Sequence, residues 1–141
     1  MPTRAQMSES ARHEGGHTDL MVAALEGEIP TLKALLAGGA NVNERDDEGR
    51  TALMFAVTNM HTDCVNTLLE HGSDVNATAN DGGTALMLAA SSGATEIVRA
   101  LLSKGADARD HFTENGKTAL MLATEKGHTE IAELLRAAGA E

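Results

Sequence analysis

Two histidines bracket a glutamate near the start of the chain, in the string His13-Glu14-Gly15-Gly16-His17. This is the H-E-x-x-H spacing of zinc hydrolases, in which the histidines hold the metal and the glutamate acts as base. The chemistry needs both histidines one turn apart on a stable helix, a third ligand and a cleft. The Gly15-Gly16 pair opposes a helix by about 2 kcal/mol, so a polar leader or a partial turn is the better reading. Gly116-Lys117-Thr118 has the ending of a phosphate-binding loop, but His111 stands where the loop's first glycine belongs. Cys64 follows His61 by three residues near an expected helix start, an arrangement that lowers a thiol pKa. Met21, Met54, Met87 and Met121 recur at matching positions. A row of thioethers suits Cu(I), although filling gaps in a core is the commoner use of methionine. No serine, histidine and carboxylate converge by pattern, so we assign no catalytic residue, no metal ligand and no cofactor.

The elements that must carry these residues repeat. Thr51-Ala-Leu-Met-Phe-Ala56 returns as Thr84-Ala-Leu-Met-Leu-Ala89 and Thr118-Ala-Leu-Met-Leu-Ala123, with a degenerate copy at Thr18-Asp-Leu-Met-Val-Ala23. Each copy is followed by a second apolar pattern that runs into glycine: Gly39, Gly72, Gly105 and Gly139. Two helices per unit follow. Thr18, Thr51, Thr84 and Thr118 are expected N-caps of the first helices, and Gly27, Gly93 and Gly127 their left-handed ends. Thr62, Thr95 and Thr129 are expected to cap the second helices, with Pro30 at the first helical position of the first unit. By register Cys64 shares the buried position of Ile97 and Ile131, which predicts a packed, unreactive thiol. Met60 stands where the other units have glycine, and an altered turn is expected there. The polar linkers between units read as exposed turns.

Composition agrees. The 141 residues suffice for one domain, and with only two aromatics, Phe55 and Phe112, the core must be Leu, Ala, Val, Ile and Met. A net charge of -10 opposes a phosphate backbone and argues against nucleic acid. The N-terminal residues lack a signal-type apolar stretch, and no apolar run approaches about 18 residues, so no membrane partner is expected. One cysteine forms no internal disulfide, and a reducing, cytoplasmic compartment is the expectation.

The unit of 33 or 34 residues, with its threonine caps, its glycines and the series Gly-Ala-Asn-Val-Asn43, Gly-Ser-Asp-Val-Asn76 and Gly-Ala-Asp-Ala-Arg109, resembles the ankyrin-repeat family. The resemblance implies an all-α repeat solenoid of helix-turn-helix pairs with projecting β-hairpin fingers. It divides the chain into a flexible polar leader, 1–12, and a repeat domain, 13–141, with repeats at about 13–45, 46–78, 79–111 and 112–141. The family's Thr-Pro-Leu-His reads Thr-Ala-Leu-Met here, so the four methionines should stack as an apolar ladder. Thr31 and Arg136, polar where sister repeats are apolar, suggest that both ends of the array are capped.

The resemblance further implies a non-catalytic module, not an enzyme, that binds another protein as a monomer through the concave groove and fingers. By register the finger positions are Arg45, Asp47, Glu48 and Arg50, then Thr78, Asn80 and Asp81, then Phe112, Glu114, Asn115 and Lys117. The first-helix positions are Leu25 and Glu26, Thr58 and Asn59, Ser91 and Ser92, Glu125 and Lys126. Phe112 sits in a finger lengthened by one residue, where it either projects as a hot spot or folds back on the adjacent finger. Two alternatives use the same chain: an inhibitor or adaptor subunit that occludes an enzyme, and a stand-alone metal-binding protein. Asn76 also resembles a site of asparaginyl hydroxylation, against a structural role as a hydrogen-bonding turn residue shared with Asn43.

Overall fold

The computed structural model of the chain describes residues 14–109 and 113–140. The leader 1–12, His13 and Phe112 lie outside the described residues. Among the described residues, eight α-helices follow a short 3-10 turn at Glu14–Gly16: α1 Asp19–Glu26, α2 Ile29–Ala37, α3 Ala52–Thr58, α4 Thr62–Glu70, α5 Ala85–Ser92, α6 Thr95–Ser103, α7 Ala119–Glu125 and α8 Thr129–Ala137. Each odd-numbered helix packs on the even-numbered one that follows it. Across repeats, α1, α3, α5 and α7 stack in one row and α2, α4, α6 and α8 in a second. Helices of seven to nine residues are too short to be stable alone in water. They form because each repeat covers the apolar face of the next.

The threonine hydroxyls of Thr18, Thr51, Thr84 and Thr118 accept the backbone N–H three residues on, from Met21, Met54, Met87 and Met121. At the first of these the sulfur of Met21 also accepts the Thr18 N–H at 3.4 Å, which closes the cap from both sides. The second helices begin one residue earlier than expected. Glu28, His61, Ala94 and His128 are their N-caps, without side-chain bonds. Thr62, Thr95 and Thr129 are therefore the first helical residues, not the caps, and Pro30 is the second. The reason is that the left-handed residue ending each first helix turns the chain so tightly that the next helix starts two residues later. Pro30 is tolerated because the first four N–H groups of a helix have no partner within it.

The core is aliphatic and runs the length of the stack, from Leu20 and Ala24 through Leu53, Val57 and Leu68 to Ile97, Leu101, Ile131 and Leu135. The methionine ladder is only partly realised. Met21, Met54 and Met87 are buried, whereas Met121 is 45% exposed, because the face it shares with them meets a following repeat in the first three units and none of the described residues in the fourth. Thr31 and Arg136 are both exposed.

Met60 does not alter its turn. It holds φ 57°, the left-handed conformation of Gly27, Gly93 and Gly127, and the His61 N–H still reaches the Ala56 carbonyl at 2.9 Å, as Glu28 reaches Ala23. A side chain in this conformation costs about 1 kcal/mol relative to glycine. What makes it sterically feasible lies in the next repeat. A Cβ added to Gly27 would come within 2.7 Å of the His61 ring, and one added to Gly93 within 2.7 Å of the His128 ring. The residue at that position after Met60 is Ala94, which has no ring to meet the Met60 Cβ.

Candidate functional site

The finger positions are closed turns rather than strand-paired hairpins, and no β-strand occurs among the described residues. In each turn one amide bonds across its base, Asp46 to Arg50, Ala79 to Gly83 and Thr113 to Lys117. The glycine in each turn, such as Gly49 at φ 79°, permits the reversal. Neighbouring tips are joined by single backbone bonds: Asp47 N–H to Gly15 O at 2.9 Å, Asn80 N–H to Glu48 O at 2.9 Å and Glu114 N–H to Asp81 O at 2.7 Å. One bond per repeat fixes a row of tips without building a ladder. Gly15 occupies the same register as Glu48 and Asp81, so the zinc-like string is a partial first turn. Its glycines Gly15 and Gly16 have φ of 79° and 77°, incompatible with the helix that zinc chemistry requires.

Between the first two tips lies a cluster that the sequence pattern did not single out. Asp46 is buried; its Oδ1 accepts the N–H of Glu48 at 2.9 Å and of Arg50 at 2.8 Å, and its Oδ2 the Arg50 Nε at 2.9 Å. His17 Nε2 lies 3.3 Å from that Oδ2. The Arg50 guanidinium covers the Phe55 ring at 4.8 Å, and the His17 ring meets Phe55 edge-on with centroids 5.3 Å apart. Burial alone would push the Asp46 carboxyl up, but the bonds from the Arg50 backbone and side chain, the Arg50 charge and the Glu48 amide together hold it below its ordinary value. Arg50 is thus committed to structure.

Other candidate residues are also engaged. Arg45 Nη1 donates to the Thr78 carbonyl at 2.6 Å, and the Asn80 amide to the Asp47 carbonyl at 3.1 Å. The Asn59 amide donates to the Leu25 carbonyl at 2.8 Å and Thr58 Oγ1 to the Met54 carbonyl at 2.9 Å. The Asp81 carboxylate accepts the Gly83 N–H at 2.9 Å, and Lys117 pairs with Glu125 at 2.7 Å. Asp47, Glu48, Glu114, Asn115, Glu26, Ser92 and Lys126 are exposed, and Ser91 is half-buried while its carbonyl meets the His128 ring nitrogen at 3.3 Å. Asn76 uses both ends of its amide, donating to Gly105 O at 3.1 Å and accepting the Asp107 N–H at 2.8 Å; Asn43 makes the same pair of bonds to Gly72 and Asp74.

Cys64 is fully buried and unpaired. Burial pushes its thiol up, and the neighbouring Asp63 carboxylate adds to the rise, so it is packed as the register implies and lacks thiolate character. No group of three or more His, Cys, Asp or Glu suited to a metal occurs among the described residues. Nor is any helix among them long and apolar enough to cross a membrane.

The family description "Ankyrin repeats (3 copies)" matches residues 4–79 and 73–141. The chain is an ankyrin-repeat protein. No curated protein matches it. Ankyrin repeats are generally protein–protein interaction modules and typically non-catalytic. In this ankyrin stack, what the sequence missed was the Asp46 cluster and the ring-to-carbonyl contacts, His61 Nε2 to Leu25 O at 3.0 Å and His128 to Ser91. A signal for the second was present: histidine follows in the next unit wherever the turn residue is glycine, and alanine where it is Met60.

Proposed function

We propose that this ankyrin stack is a non-catalytic module that binds another protein through its row of finger tips and the adjoining ends of α1, α3, α5 and α7. The observation that carries the reading is the spacing of the tips. Backbone bonds between Asp47 and Gly15, Asn80 and Glu48, and Glu114 and Asp81 hold exposed side chains in a fixed register, so little conformational entropy is lost when a partner docks. Several register-based candidates serve the scaffold instead. Arg50, Arg45, Asn59 and Asn80 set the geometry, and Glu48, Asp81, Glu114 and Asn115 are the side chains presented to a partner.

The test is affinity capture with the wild-type protein beside a Glu48→Ala, Asp81→Asn, Asn115→Ala variant, which keeps the backbone bonds of the turns and an acceptor oxygen at position 81 and gives up only the exposed Glu48–Arg50 pair at 3.5 Å. A partner retained by the wild type and lost by the variant, with an unchanged melting temperature, is the expected result. Retention of every captured protein by the variant removes the finger tips as the binding surface. Adding the captured partner's own activity assay separates an inhibitor from a passive scaffold.

A further inference from the structure

Met60 stands at the rim of the candidate surface, directly after Thr58 and Asn59, and half of its surface is exposed. It is the one non-glycine residue with positive φ among those described. Strain of this kind is usually offset by packing, yet Met60 is half exposed and lines a cleft of about 270 Å³. Gly27, Ile29, His61, Thr62, Asp63 and Cys64 complete the lining. The cleft exists because the chain reverses at Gly27 and again at Met60, leaving a notch between the starts of α2 and α4.

Three acidic residues belong to the segments that form this notch. Asp63 lines it, and Glu26 and Glu28 flank the lining Gly27 in the chain. All three are exposed and none forms an ion pair among the described residues. No lysine or arginine lines the cleft, and the chain as a whole carries -10. A flexible thioether beside Ile29 suits an aliphatic side chain of adaptable shape, and the carboxylates select cations beside it.

We propose that the Met60 cleft is an anchoring pocket for a partner segment in which an aliphatic side chain is flanked by lysine or arginine. This deepens the protein-binding reading and rests on it. Met60 supplies the apolar wall, Ile29 the facing wall, and Asp63, Glu26 and Glu28 the charge that fixes the register of the flanking cations. Glycine at position 60 would retain the turn but remove the wall.

The probe is an acetylated nonapeptide with a central leucine between two Lys-Arg pairs, titrated into protein labelled at its methionine methyl groups. Saturable movement of the Met60 resonance, with a dissociation constant on the order of 100 μM, is expected, while Met121, equally exposed and remote from the cleft, stays still. Met60→Gly should weaken binding at least about fivefold by amide shifts at Asp63 and Ile29, and an Asp63→Asn, Glu28→Gln variant should flatten its salt dependence. Replacing the leucine by serine, or the basic pairs by glutamates, should abolish the shifts. The proposal is overturned if the peptide does not bind, if the serine or glutamate peptide binds as well, or if Met60→Gly binds with unchanged affinity. A captured partner lost by the finger-tip variant but kept by Met60→Gly also overturns it, and leaves the groove reading standing.

Discussion

The first helices of the second and fourth repeats start from nearly the same six residues, Thr51-Ala-Leu-Met-Phe-Ala56 and Thr118-Ala-Leu-Met-Leu-Ala123, and are N-capped in the same way. Their surroundings differ. Met54 is 2% exposed and Met121 45%; the turn of the second repeat encloses a buried carboxylate, whereas that of the fourth has Thr113 in its place. Local structure in a stack follows from the repeat's own sequence, but burial follows from its neighbours, and stability is a sum over shared faces.

Substituting the paired methionines tests that difference most strongly. Met54→Ala should cost about 2–5 kcal/mol and Met121→Ala no more than about 0.5 kcal/mol, read from urea denaturation. Equal losses would show that the fourth repeat is as well covered as the second.

The two turns give the next effect. Asp46→Ala leaves the Glu48 and Arg50 amides and the guanidinium without their acceptor and should cost about 1–3 kcal/mol, against less than about 1 kcal/mol for Thr113→Ala, which loses a single bond to the Lys117 N–H. The Asp46 contribution also has a pH signature. Its folded pKa is depressed below the ordinary 3.8, so the stabilisation is complete above that value and disappears as the pH falls through the lower folded value. The stability gap between wild type and Asp46→Ala should therefore be flat at neutral pH and narrow only below pH 3.8. A gap that narrows well above pH 3.8 would show that the effect does not come from the Asp46 carboxylate.

Two turn substitutions complete the series. Gly93→Ala combines a left-handed alanine with a Cβ 2.7 Å from the His128 ring, and about 2 kcal/mol of destabilisation is expected. His128→Ala should recover part of it in a double-mutant cycle. Met60→Gly, in contrast, should stabilise by up to about 1 kcal/mol, read as a rise in melting temperature. A fall would show that the Met60 side chain is held by contacts worth more than its strain.

Most of the architecture is legible in the sequence. The 33-residue period, the threonine caps and the terminal glycines are local features, and local backbone physics produces them in every copy. The starts of the second helices were read one residue late because Thr62, Thr95 and Thr129 look like caps in isolation, while the left-handed residue before them decides where the helix resumes. The candidate surface was legible as a row of positions but not as a set of free side chains. Arg50, Asn59 and Asn80 face the partner side by register, and yet each has a bonding partner inside the protein.

The sequence by itself determined the repeat, its helix pairs, its aliphatic core and its acidic charge, because periodicity and capping act over a few residues. The tertiary structure alone decided which polar residues are spent on the scaffold, that Asp46 is buried, that Met121 is bare and that Met60 can keep a glycine's conformation. Those outcomes depend on contacts between residues about 30 positions apart in the chain, such as His17 with Asp46 or Asn59 with Leu25. The stacking of one repeat on the next brings such residues into contact.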